Sequence, residues 1–303
     1  MLRTSFLIVA LATYTSLADA QTASKPAPKG NDKPEPTHVA VQYGPHNRNV
    51  MDVWLAPSDK PTPVLFNIHG GAFQTGSKEV GVGLLQLCLK EGISVVAISY
   101  RLSSEAIAPA QFHDAARAVQ FVRQHAKEWN IDPKRFAASG ASAGAGISLW
   151  LAFHDDLADP KSDDPVLRES SRLSCAATLF GQTTYDPREL KKMYPDSKAY
   201  RADWAEKFYG VKLDKLEGLP EEKYRLFEEV SPINHLTIDD PPVIQIYGVT
   251  VDSPPTDAIH HARFGKVLKD KMDPLGIECK IVETMARNEN VVFEFVRDHL
   301  KPR

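Results

Sequence analysis

From residue 38 onward, short apolar runs of strand character alternate with amphipathic helical stretches, and this alternation constrains the fold more than any other feature. Residues 38–43 and 50–55 flank a Gly44-Pro45 turn and read as an antiparallel opening pair. Strand-like runs follow at 64–68, 93–98, 136–138, 175–180, 243–247 and 277–282. Residues 93–98 (Ile-Ser-Val-Val-Ala-Ile) are apolar on both faces, as a parallel strand covered on both sides must be. Between the runs lie helical patterns at 80–89, 109–129, 143–153, 256–275 and 289–300. In the second of these, Phe112, Ala115, Ala116, Val119 and Val122 share one face. Repeated crossovers of this kind predict an α/β fold, a doubly wound and mostly parallel sheet, in one domain over residues 38–303. Residues 186–230, rich in charge, Tyr and Trp, interrupt the rhythm and predict a small helical cap insertion. Tyr200, Trp204, Phe208 and Tyr209 in it have roughly helical spacing and are expected to pack onto the body.

The chain ahead of this domain has a different character. Arg3 precedes an apolar stretch over 6–12, and Ala18-Asp19-Ala20 supplies small residues at a cleavage position, the three-part pattern of a secretory signal over residues 1–20. The expectation is export, to a periplasm or to the medium, with cleavage near Ala20. Residues 21–37 carry Pro26, Pro28, Pro34 and Pro36 with Lys25, Lys29 and Lys33, and read as a linker. No other segment approaches about 18 consecutive apolar residues, so no membrane span is expected. Lys and Arg number 36 against 39 Asp and Glu, a net charge of −3. Without a basic excess there is no counterion-releasing surface for a phosphate backbone, which argues against a nucleic-acid partner. Cys88, Cys175 and Cys279 are too few for a disulfide framework and sit in apolar runs. Asp155, Asp156, Asp159, Asp163 and Asp164 lack the glycine and glutamate of a calcium loop and read as a solvated turn. No metal-ligand spacing and no dinucleotide fingerprint appears, so neither metal nor cofactor is expected.

The chemistry is carried by two short motifs. Gly140-Ala141-Ser142-Ala143-Gly144 stands between a strand and a helix. A tight strand-to-helix turn needs small neighbours around a serine held in a strained conformation, and it leaves the hydroxyl at the carboxyl edge of the sheet beside a helix N-terminus. His69-Gly70-Gly71-Ala72-Phe73 directly follows the strand at 64–68. Backbone N–H groups of Gly70, Gly71 and Ala72, with that of Ala143, are candidates for an oxyanion hole. His69 itself reads as a support for this loop rather than a base.

These motifs resemble the α/β-hydrolase superfamily, and within it the hormone-sensitive-lipase-like and acetylxylan or feruloyl esterase (BD-FAE-like) branch. Further points of likeness are Ser99-Tyr100-Arg101-Leu102-Ser103 with Pro109, the stretch 130–135, and the strand at 243–247 ending in Gly248. The resemblance covers about residues 38 to 301. It implies a serine carboxyl-ester hydrolase that forms an acyl-enzyme on Ser142 and needs no cofactor. The implied substrate is a small-molecule or carbohydrate ester, for example an acetyl group on a polysaccharide. Two positions depart from the family pattern. Three residues after Gly248 the acid position holds Val251; Asp252 comes one later, and Asp257 is a second option. The loop after the last strand, 284–290, contains no histidine.

The base must then come from elsewhere. His260 and His261 follow the strand that leads to the acid, where the chain leaves the carboxyl edge of the sheet, and on a helix over 256–275 both lean inward. Either is the expected base, with Asp252 as its orienting acid. Glu289 is the fallback. The competing expectation is a hydrolase-fold binding protein that has lost catalysis, because a serine without a base is a weak nucleophile.

Overall fold

The computed structural model describes residues 32–198, 203–284 and 289–302. The expected leader, and the expected linker up to residue 31, lie outside them. Eight strands form one sheet: β1 (His38–Gln42), β2 (Val50–Trp54), β3 (Thr62–Ile68), β4 (Ser94–Ile98), β5 (Ile131–Ala141), β6 (Cys175–Leu179), β7 (Val243–Tyr247) and β8 (Cys279–Glu283). Their spatial order is β1-β2-β4-β3-β5-β6-β7-β8. The β1–β2 and β2–β4 pairs are antiparallel and every later pair is parallel. The chain runs outward from β3 to β4, then returns to lay β5 on the other side of β3. In open α/β sheets, the crevice beyond the carboxyl ends of strands at such a reversal is where ligands bind.

Helices cover both faces. On one side lie α2 (Ala110–Gln124) and α3 (Ala143–Phe153); on the other, α1 (Val82–Lys90) and α8 (Glu289–His299). The alternation of side chains along a strand sorts the residues between them. Val64, Phe66 and Ile68 join Phe112, Val119 and Ile147 in one buried cluster. Leu65 joins Leu85, Val292 and Val296 in another. Val96 and Ile98 point one way, Val95 and Ala97 the other. All of these are at most 1% exposed, and each large one contributes about 1.5–3 kcal/mol by leaving water. The three cysteines are free and buried, and burial pushes the Cys88 thiol up to about 12 and that of Cys279 to about 11. They act as apolar filling.

Among the described residues the insertion forms three short helices, α4 (Pro187–Met193), α5 (Asp203–Tyr209) and α6 (Glu221–Glu229). Phe208 and Tyr209 are buried in the main core, and Trp204 packs beside them. Phe208 stacks on Phe73 with centroids 4.2 Å apart and planes at 17°. The cap is therefore fastened to the loop that follows β3. Tyr200 lies outside the described residues.

The main difference from the sequence pattern is at 256–275. A 3₁₀ turn at Ala258–His260 comes first, His261 is extended (φ −82, ψ 143), and α7 runs only from Arg263 to Met272. Periodicity does not reveal the break because a side chain makes it: the His261 Nδ1 accepts the Arg263 N–H at 3.1 Å, capping the new helix. Helix α2 is likewise shorter than the 109–129 pattern, and β5 is longer than 136–138.

Candidate active site

Ser142 sits between β5 and α3 with φ 53 and ψ −119. A non-glycine residue there stores strain of the order of 1–3 kcal/mol and persists only where its surroundings impose it. Its N–H donates to the Leu179 carbonyl at 2.9 Å, and its carbonyl accepts the Gly146 N–H at 3.0 Å. The two motif glycines permit the approach of three backbones. A Cβ on Gly140 would lie 2.5 Å from the Gly144 backbone, and one on Gly144 only 2.1 Å from the Ile68 carbonyl oxygen. The spacing of glycines around the serine is thus a packing requirement of β3, β5 and α3 together.

The loop after β3 is bent by three consecutive positive φ values, 101 at Gly71, 51 at Ala72 and 59 at Phe73. The Gly71 carbonyl accepts from Gln74 at 2.8 Å and from Thr75 at 3.1 Å, and a Cβ on Gly71 would strike the Thr75 carbonyl at 2.3 Å. The N–H groups of Gly70, Gly71, Ala72 and Ala143 donate to no acceptor among the described residues. Gly70, Gly71 and Ala72 line the same cleft as Ser142. Ala143 is the first residue of α3, where an N–H has no partner within the helix. Uncommitted donors around a serine hydroxyl suit a developing negative charge.

His69 supports this loop. Its Nδ1 lies 2.7 Å from the Gly70 carbonyl, an acceptor only, so Nδ1 carries the proton. The ring stacks on Tyr100 at 4.1 Å, and the Tyr100 hydroxyl donates to the His69 carbonyl at 2.9 Å. Burial lowers its pKa to about 4, so it stays neutral.

His260 is the histidine that reaches the serine. Its Nε2 lies 2.9 Å from Ser142 Oγ, and its Nδ1 lies 2.6 Å from Asp257 Oδ2. A carboxylate accepts only, so Nδ1 holds the hydrogen and Nε2 turns a lone pair to the serine hydroxyl. The 3₁₀ turn makes this possible, since residues three apart eclipse one another on such a turn and Asp257 is its N-cap residue. The turn is clamped from outside by Gln182, whose Nε2 donates to the Ile259 carbonyl while its Oε1 accepts from the Tyr185 hydroxyl at 3.0 Å. Nothing in the local sequence singles out Gln182.

Two of the expected residues are not brought to Ser142. His261 is 1% exposed and faces away, with Nε2 2.9 Å from the Ser253 carbonyl and Nδ1 engaged by Arg263. It starts a helix and does not reach Ser142. Asp252 is exposed and makes no hydrogen bond with either histidine; the imidazole of His260 is held by Asp257. Asp252 sits in the turn right after β7, whereas the 3₁₀ turn brings Asp257 and His260 back over the sheet edge. Glu289 lies over Gly81 and Gly83, at the start of α1. Residues 285–288 of the histidine-free loop lie outside the described residues.

Ser142, His260 and Asp257 line one open cleft of about 1020 Å³, together with the apolar Phe180, Ile259 and Ala72 and the polar Gln74, Thr75 and Glu79. The BD-FAE family model matches residues 51–256, more than half of the chain and inclusive of both glycine motifs. The chain belongs to the BD-FAE family. Asp257 and His260 fall just past the end of the matched stretch. Among curated proteins the chain is 30% identical to a probable carboxylic ester hydrolase, LipM, of Mycobacterium tuberculosis, over 69% of this chain and 46% of that protein. It is 27% identical to a probable isoprenylcysteine alpha-carbonyl methylesterase, ICMEL1, of Arabidopsis thaliana, over 80% of this chain and 48% of that one. The chain thus spans about half the length of the curated relatives it matches. Among solved structures, an acetyl ester-xyloside bifunctional hydrolase from Caldicellulosiruptor lactoaceticus superposes with a TM-score of 0.65 at 20% identity, covering 82% of this chain and 86% of that one. A truncated carbohydrate esterase from gut microbiota gives 0.67 at 20% identity, covering 90% and 99%. The fold is that of the α/β-hydrolases. No helix among the described residues is long and apolar enough to cross a membrane.

Proposed function

We propose that this BD-FAE family protein is a carboxyl-ester hydrolase acting through an acyl-enzyme on Ser142. The observation that carries the reading is the continuous hydrogen-bonded chain Ser142–His260–Asp257. Ser142 Oγ attacks the ester carbonyl as His260 Nε2 takes its proton, and Asp257 steadies the imidazolium that forms. The carbonyl oxygen, now negative, is received by the free N–H groups of Gly71, Ala72 and Ala143, with Gly70 at the edge of the loop. His260 then gives its proton to the leaving alkoxide. A water, deprotonated by the same imidazole, attacks the acyl carbonyl and frees Ser142 as the acid departs.

The cleft lining combines apolar Phe180, Ile259 and Ala72, which suit a short acyl group, with polar Gln74, Thr75 and Glu79, which suit a hydroxylated alcohol. An acetyl ester on a sugar combines both. Two structural neighbours described as an acetyl ester-xyloside hydrolase and a carbohydrate esterase lend support to this choice. The lost-catalysis reading rests on the histidine-free loop, and the contact of His260 with Ser142 supports the catalytic reading over it. The test is Ser142→Ala against p-nitrophenyl acetate and an acetylated xylooligosaccharide. Hydrolysis should fall by about 10⁴-fold or more on both, with the thermal midpoint hardly changed. Activity that survives the change refutes the assignment, and hydrolysis of the aryl ester alone refutes the sugar part.

The precursor is further proposed to be exported and trimmed after Ala20, on the leader pattern in its first twenty residues. Mass spectrometry of protein recovered from the exported fraction decides this, and an intact Met1 there refutes it.

A further inference from the structure

A second cluster of chemically capable side chains lies at the far end of α3, about 18 Å from Ser142 at 1.5 Å per helical residue. His154 follows the last residue of α3, Glu229 ends α6, and His235 follows a short 3₁₀ turn at Pro232–Asn234. One ring nitrogen from each histidine and one carboxylate oxygen all lie within 4.8 Å of one another. All three residues are half-buried, and Trp150 packs against both imidazoles, with centroids 4.1 Å from His154 and 6.1 Å from His235.

The hydrogen bonds around the cluster decide which atoms are available. His154 Nδ1 lies 2.9 Å from the Asp155 carbonyl, so the proton sits on Nδ1 and the Nε2 lone pair faces Glu229 Oε1 at 3.3 Å. His235 Nε2 lies 2.6 Å from the Glu229 carbonyl, and its Nδ1 makes no hydrogen bond among the described residues. The same carbonyl accepts the Trp150 indole N–H at 2.8 Å. Each histidine thus donates one N–H to a backbone carbonyl and keeps the other nitrogen free, which is the outer-shell arrangement that orients imidazole ligands on metals. A lone pair facing a carboxylate oxygen is repulsive unless a cation stands between them. A proton on His154 is one such cation.

We propose that His154, Glu229 and His235 bind a divalent transition metal, with zinc the best fit, and that this ion staples the end of the cap to the end of the nucleophile helix. Two imidazoles and a carboxylate suit zinc, with a water as fourth ligand. Donors around a tetrahedral zinc stand roughly 3.3 Å apart, so small side-chain rotations close the cluster. Access is open, since Glu229 and His235 line a separate cleft of about 950 Å³ beside α4 and α6. The site is independent of ester hydrolysis, and its ligands come from segments brought together only by the cap.

The test uses the full chain, stripped with a chelator and titrated with zinc chloride by calorimetry, with melting followed in parallel. One equivalent should bind with a Kd in the micromolar range or tighter, and at a hundredfold excess over that Kd the midpoint should rise by about 5 °C. His154→Gln and His235→Gln should each weaken binding by at least about 100-fold while leaving ester hydrolysis in place, and His260→Gln should leave zinc uptake unchanged. Glu229→Gln keeps the backbone carbonyl used by His235 and Trp150, and gives an independent reading if a histidine variant does not fold. No uptake by the wild type below about 100 µM zinc overturns the proposal. So does uptake that persists unchanged in the variants, or that is lost only in His260→Gln.

Discussion

Asp257→Asn separates the two carboxylates that compete for the acid role. In the wild type, Asp257 does two things for His260. It fixes the proton on Nδ1, 2.6 Å away, and in the proposed mechanism it faces the positive charge that the ring acquires when Ser142 attacks. The charge term follows from Coulomb's law at a centre-to-centre distance of about 4 Å, which gives about 4 kcal/mol at an effective dielectric of 20 and about 1 kcal/mol in bulk water. The Asp257 side chain is 61% exposed, so the value lies between these limits, near 2 kcal/mol. Asparagine removes that charge. It also presents an N–H to Nδ1 in one of its two orientations, which drives the ring proton to Nε2, where it meets the serine hydroxyl instead of accepting from it. Together these effects predict a loss of about 10²-fold in kcat/KM, smaller than for a deeply buried orienting acid. The assay is initial-rate hydrolysis of p-nitrophenyl acetate from pH 5 to 9, with circular dichroism to verify folding. Asp252→Asn should stay within about threefold of wild type. The reasoning fails if Asp257→Asn also stays within threefold, or if Asp252→Asn takes the larger loss.

The adjacent histidines should separate in the same way. His260→Gln should lower kcat by at least about 10³-fold with an unchanged midpoint, whereas His261→Gln should lower stability by about 1–2 kcal/mol, through a lost cap and a disturbed buried contact, with most of kcat retained. A His261→Gln protein that melts normally but has lost its turnover would reverse these roles. His69 predicts an acid-side loss of stability. Its folded pKa of about 4 lies below the ordinary 6.5, so the unfolded chain binds the proton first. Stability is full above about pH 6.5, declines as pH falls toward 4, and the total loss is about 3 kcal/mol. His69→Asn should flatten this part of the midpoint-versus-pH curve, and a curve identical to wild type would refute the account.

The elements with strong local signals were legible in the chain itself. A strand buried on both faces, such as β4, must be almost wholly apolar, so the run 93–98, with Ser94 as its one polar residue, announces both the strand and the helices that cover it. The serine elbow is equally local, because the strand, the turn and the first helical residue are consecutive, and the small residues they demand stand side by side from Gly140 to Gly144. The loop at Gly70–Gly71 reads for the same reason. The base was not decided at this level. His260 and His261 are neighbours with the same composition around them, and on a continuous helix both would lean inward. The choice was made when His261 capped α7, which broke the helix and left a 3₁₀ turn with Asp257 and His260 on one edge. Gln182, 77 residues away, clamps that turn, and Ser142 is 118 residues away. A periodicity rule has no access to such separations. The cluster of His154, Glu229 and His235 was invisible for the same reason: its spacing in the chain matches no ligand pattern, and only the packing of the cap against α3 brings the three donors within reach of one ion.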